Sequence, residues 1–120
     1  MTEAIVHADL APLGLFDTSP GNYSLILGDH HFAEAAGLFE AVGQEVSGYS
    51  WDAVARTAVR VHAPELADRI GGFDPEAGMM CVYGEDEAAL RELGLILSSA
   101  FHDRVKLAAL IEATDPGDWD

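Results

Sequence analysis

The chain has 120 residues, 49% of them hydrophobic, with 21 Asp and Glu against six Lys and Arg, so a formal charge of −15 surrounds enough apolar material for one core. That balance excludes direct nucleic-acid binding, which needs Lys and Arg against phosphates, and excludes wholesale disorder, which needs few large apolar residues. There is no run of about 18 apolar residues to span a bilayer, no basic segment opening a secretory signal, and one cysteine, Cys81, which leaves no internal disulfide.

Residues 1–12 form a lead-in with no firm pattern: Ile5 and Val6 suit the start of a short strand, and Ala11-Pro12 interrupts it. Leu13 to Asp17 predicts a strand and Tyr23 to Leu27 a second, joined as a hairpin through Thr18-Ser19-Pro20-Gly21-Asn22. Asp29 or His30 is expected to cap a helix reaching Val42, with Phe32, Ala35, Ala36 and Phe39 on one face and Gly43 at its end. Ser50 is the expected cap of the next helix, with Asp52 in its first turn and Trp51, Val54, Ala55, Ala58 and Val61 as its apolar stripe. Pro64 opens a short continuation to Ile70, closed by Gly71-Gly72.

Phe73 suits a short strand, residues 74–78 a turn, and Met79 to Tyr83 a central strand, apolar on both faces. Cys81 lies in that run and reads as a small buried residue. Glu85-Asp86-Glu87 marks the start of a helix from Glu87 to Phe101 with Leu90, Leu93, Leu97 and Phe101 inward. Asp103 caps a last helix through Glu112 carrying Val105, Leu107, Leu110 and Ile111, and residues 115–120 form a frayed acidic tail. The order β-β-α-α-(β)-β-α-α segregates strands and helices, which predicts a single two-layer α+β domain with a small, mostly antiparallel sheet packed against helices.

Catalytic patterns are weak. Asp29, His30, His31 and Glu34 are the metal candidates, with His30 and Glu34 spaced i, i+4; the competing reading is a capped helix start with solvated histidines. His7, His62 and His102 stand alone. Carboxylate pairs arise by number in so acidic a chain, no serine sits in a nucleophile elbow, and no glycine-rich loop follows a strand to cradle phosphate. Gly48-Tyr49-Ser50-Trp51-Asp52 sets two aromatics around a helix start: Trp51 reads as core, and Tyr49 is either a binding anchor or a staple. Asp74, Glu76, Glu85 and Asp86 form an acidic rim at loop ends.

Three segments carry a resemblance: Asn22-Tyr23-Ser24-Leu25-Ile26-Leu27; Gly48-Tyr49-Ser50-Trp51-Asp52-Ala53-Val54-Ala55; and Phe73-Asp74-Pro75-Glu76-Ala77-Gly78-Met79-Met80, followed by Tyr83 and Glu85-Asp86-Glu87. In order and spacing the chain, from about Leu13 to Leu110, resembles the immunity protein 51 family of bacterial polymorphic toxin systems. Ser47 departs from the Asn or Gly expected before the Gly-Tyr pair. The resemblance implies a cytoplasmic protein, with no catalytic residues, cofactor or metal, that binds and neutralises a cognate toxin. The resemblance also implies a toxin of a kind that is often a nuclease or another enzyme with a basic cleft, and the net charge suits an inhibitor that occupies such a cleft. The expected contact residues are Tyr49, Asp52, Asp74, Glu76, Glu85 and Asp86, on a monomer or weak homodimer. The alternatives are a small carboxylate-based or metal-dependent enzyme and an oligomerising adaptor without a toxin.

Overall fold

The computed structural model describes residues 3–5 and 8–119. Five antiparallel strands form one sheet in the order β1-β2-β3-β5-β4: β1 (Glu3–Ile5), β2 (Gly14–Ser19), β3 (Asn22–Gly28), β4 (Gly72–Phe73) and β5 (Met79–Gly84). Strand residues alternate between faces, and one face has an apolar centre: Leu15, Leu25, Leu27, Met80 and Val82 are each at most 1% exposed, with Asp17 beside Tyr23 at its end. Against that face pack α2 (Gly48–His62) and α3 (Glu87–Phe101), backed by α4 (Arg104–Ala113) and the short α1 (Ala36–Glu40). The result is the expected two-layer α+β domain, with β1 added at the edge beside β2. Val6 and His7 lie outside the described residues.

The best-predicted elements are those with their own end signals. The Asp86 carboxylate accepts from the Ala89 N–H at 3.1 Å and opens α3; Asp103 accepts from the Val105 and Lys106 N–H groups and opens α4. Leu90, Leu93 and Leu97 are fully buried and Phe101 is half-buried. Gly43, at φ 79°, follows the end of α1 and its turn.

Other elements differ from expectation for local reasons. The first hairpin keeps pairing to Ser19 and Asn22, leaving a turn at Pro20-Gly21 with Gly21 at φ 80° in place of a five-residue connection. The Asn22 amide donates to Ser19 Oγ at 3.1 Å and closes it. The helix expected from Asp29 begins as a 3₁₀ segment, Asp29–Ala35, before α1. Neither Asp29 nor His30 caps it; Gly28 holds the cap position without a side-chain bond, so the orphan N–H groups are not drawn into an α-helical start.

The cap of α2 is Ser47, not Ser50. The Ser50 N–H donates to Ser47 Oγ at 3.2 Å and the Ser47 N–H to Ser50 Oγ at 2.7 Å, a reciprocal capping box. Because α2 is sandwiched between the sheet and α3 and α4, burial extends well beyond one stripe and includes Asp52, Thr57 and Val59. Val61, near its end, is 46% exposed. Val105 is 79% exposed because α4 buries Leu107, Leu110 and Ile111, and a residue two positions before Leu107 points away from that stripe. The tail expected to fray turns back: residues Pro116–Trp119 form a 3₁₀ turn, and the Trp119 ring meets Phe39 edge-on at 6.1 Å.

Candidate functional site

All six Lys and Arg are engaged within the molecule. Arg56 pairs with Asp52, Arg69 with Asp86 and Arg91 with Asp9; Arg60 donates to the Ala113 carbonyl, Arg104 to the Glu34 carbonyl and Lys106 to Ser99 Oγ. Among the described residues these three arginine pairs neutralise only Asp52, Asp86 and Asp9. Most of the acidic surplus therefore faces water without a cationic partner.

The six expected contact residues do not form one cluster. β5 separates them, and its six residues extend roughly 17–20 Å at about 3.3 Å each. Toward its start, Glu76 lies opposite Met79 and Asp74 opposite Cys81, both exposed on the segment from β4. Tyr49, 51% exposed, joins them because the N–H of Gly48 donates to the Ala77 carbonyl at 2.8 Å, tying the start of α2 to this turn. Asp29 also belongs here, its carboxylate lying against Gly78. The pairing of Gly28 with Met79 brings it there, a register the strand pattern alone leaves open.

Glu85 and Asp86 sit at the far end of β5. There they line a shallow depression of about 770 Å³ with Asp68, Arg69, Tyr83 and Glu87. Asp86 has structural duties: it caps α3 and accepts from Arg69 Nε at 2.9 Å. The Arg69 guanidinium, followed by the Ala89 N–H, holds its carboxyl below the ordinary aspartate range.

Asp52 is turned inward and only 6% exposed, so it is placed with neither group. Its Oδ2 accepts from Arg56 Nε at 2.8 Å, and the Arg56 guanidinium lies over the Phe73 ring at 4.4 Å. Its Oδ1 has no protein partner. Burial pushes the Asp52 pKa up, the hydrogen bond and charge of Arg56 oppose that, and Asp118 adds a smaller upward push. A folded-state pKa above the unfolded value means the folded chain binds more protons between the two values. Stability from this group therefore falls as pH rises through that window and is recovered as pH drops. Asp52→Asn keeps an oxygen for Arg56 and does not titrate. The urea midpoint of the natural chain is thus expected to gain on that of the variant as pH is lowered from neutrality toward about 4. A constant gap across that range would show that Asp52 is not held up by burial.

The metal candidates do not converge. His31 Nδ1 lies 3.8 Å from Glu34 and His30 Nδ1 lies 3.6 Å from Asp29, so His30 and Glu34 do not share a face as the helical spacing predicts. The 3₁₀ conformation of Asp29–Ala35 accounts for this, since its repeat is three residues and not 3.6. Among the described residues no group of three or more His, Cys, Asp or Glu is placed to hold a metal ion. Cys81 is buried, and burial, with Asp74 and Glu76 adding to it, pushes its thiol pKa up, so the thiolate is disfavoured. Among the described residues no helix is long and apolar enough to cross a membrane.

The sequence model of one family, immunity protein 51, matches residues 13–116. No curated protein and no solved structure matches the chain.

Proposed function

Since the chain belongs to the immunity protein 51 family, we propose that it binds a cognate bacterial toxin inside the producing cell and neutralises it through an acidic surface, making and breaking no bond itself. The family match over residues 13–116 carries the reading. The charge of −15 supports it, because with every Lys and Arg engaged internally the free carboxylates offer an electrostatic match to an enzyme with a cationic substrate cleft, such as a nuclease. Of the six expected contact residues, Asp74, Glu76 and Glu85 are the acids free to meet such a partner, with Tyr49 beside the first two. Asp52 and Asp86 serve the fold first, through Arg56, Arg69 and the α3 cap.

The test uses the toxin that this reading expects in a reading frame adjacent to the gene. Purified protein is expected to suppress that toxin's activity stoichiometrically, with an association rate that falls steeply as salt rises. Reversing Asp74→Lys, Glu76→Lys and Glu85→Lys together is expected to slow association about 10-fold or more while leaving the melting temperature near that of the natural chain. Full toxin activity in the presence of excess natural protein counts against neutralisation. An unchanged association rate for the triple variant counts against these acids.

A further inference from the structure

Among the described residues no α-helix packs on the second face of the sheet, and the His30 ring lies over Gly28 at its edge. Register places Phe16, Ser24 and Tyr83 in one row across β2, β3 and β5, with Ile26 beside Cys81 in the next and Met79 beyond it. Gly14, Gly28 and Gly72 share this face. The Phe16 ring lies over Gly14 and the Tyr83 ring over Gly72, where a Cβ would strike them, so both rings lie flat along the sheet. Tyr83 is 45% exposed, and Phe16, Ile26 and Met79 are half-buried. Ser24 and Cys81 are nearly covered between these larger neighbours.

None of these outward positions carries a charge, although 22% of the chain is charged. In a two-layer domain the outer side of an antiparallel sheet is ordinarily its polar, solvated side. Acids bound the bare face instead: Asp74 and Glu76 continue the Cys81 and Met79 rows on its β4 side, Asp29 lies against the turn before β5, and Glu85 stands just past its end. An uncharged centre with a charged rim is the pattern of a protein contact surface.

Resting on the function proposed above, we propose that this outer face, centred on Phe16, Ile26 and Tyr83, receives an apolar patch of the toxin whose surrounding Lys and Arg meet the acids at the two ends of β5. Charge selects this occupant over a second copy of the chain. Two copies stacked face to face would bring acidic turns together, each molecule carrying −15. Size points the same way. Three central strands about 4.8 Å apart and about 20 Å long give a tile of roughly 300 Å². A standard interface takes about 800 Å² per partner, so the acidic ends must join the contact.

The experiment measures binding of the toxin from the adjacent reading frame to the natural protein, to Tyr83→Lys and to the triple acid-reversal variant. Tyr83→Lys is expected to weaken binding about 100-fold or more, mainly through faster dissociation and with the salt dependence retained. The triple variant is expected to lose association rate and salt dependence instead. Nitration of the natural protein by tetranitromethane, read by peptide mass, needs no variant to fold: the toxin is expected to protect Tyr83. Tight binding that leaves Tyr83 open to nitration, or that Tyr83→Lys does not weaken, overturns this inference and leaves neutralisation standing. A toxin that the natural protein neither binds nor silences removes the proposed function and this inference with it. A concentration-dependent dimer in sedimentation that Tyr83→Lys abolishes assigns the face to a second copy and also overturns the inference.

Discussion

Replacing Trp51 with alanine is expected to remove about 3–5 kcal/mol of folding stability, the largest loss from any single truncation in the core. The side chain is 0% exposed. Its ring meets Phe39 edge-on at 5.5 Å and lies 6.1 Å from Phe101, so one residue of α2 joins α1 to α3. Phe39 in turn touches Trp119, which extends the cluster to the C-terminal turn. Indole Nε1 has no protein partner, so the truncation breaks no hydrogen bond within the chain. The loss is therefore packing: the transfer free energy of the ring plus the cavity it leaves. Against a typical total of about 5–15 kcal/mol, the variant sits close to unfolding. Urea titration should show the midpoint falling by about 2 M with little change in slope, given a slope of about 1–3 kcal/mol per M. Trp51→Phe should lose much less, because it keeps an aromatic in the cluster and discards the unpartnered N–H. A Trp51→Ala midpoint within about 0.5 M of the natural chain's would show that this cluster does not anchor the helices.

Elements that carry their own punctuation were legible in the sequence. α3 and α4 follow from Asp86, Asp103 and the leucine spacing, since caps and stripes are local signals. Ser47 and Ser50 were harder to order, because in a reciprocal box each bonds the other's backbone and either resembles a cap. The short α1 and its 3₁₀ lead were illegible: the same apolar spacing serves both conformations over so few residues. The place of Asp52 in the first turn of α2 suits an outward anion, since that position is a local signal, whereas its burial depends on how α2 is sandwiched in the fold. The separation of the acids into two groups was present in the sequence, since a six-residue strand between Glu76 and Glu85 holds them apart by its own length. Asp29's place beside Gly78 and the uncharged outer face were not, because both depend on which strands pair and in what register.

Gly48→Ala should cost about 3 kcal/mol or more, far above the usual effect of one methyl group. A Cβ at Gly48 would fall inside contact distance of the carbonyl oxygens of Glu76 and Met79. Both are backbone atoms in a turn closed on itself: the Glu76 N–H donates to the Met79 carbonyl at 2.8 Å and the Met79 N–H to the Glu76 carbonyl at 3.1 Å. The Gly48 N–H is itself held by Ala77, so neither side can retreat without breaking hydrogen bonds. Gly37→Ala is the control. That site, inside α1, has no atom within 4 Å of a new Cβ, and the change is expected to be neutral or stabilising by up to about 1 kcal/mol. Equal melting temperatures for the two variants would show that the close approach at Gly48 is not tight. The Gly48-Tyr49-Ser50-Trp51 run then has a physical division of roles. Glycine allows α2 to abut the turn, Ser50 closes the capping box, and tryptophan fills the core. Tyrosine alone stays outside, beside Asp74 and Glu76. A Gly48→Ala chain that still folds must push that turn away from α2. Its affinity for the toxin should therefore drop although no carboxylate has been removed, and an affinity equal to that of the natural protein would place the contact away from this end of β5.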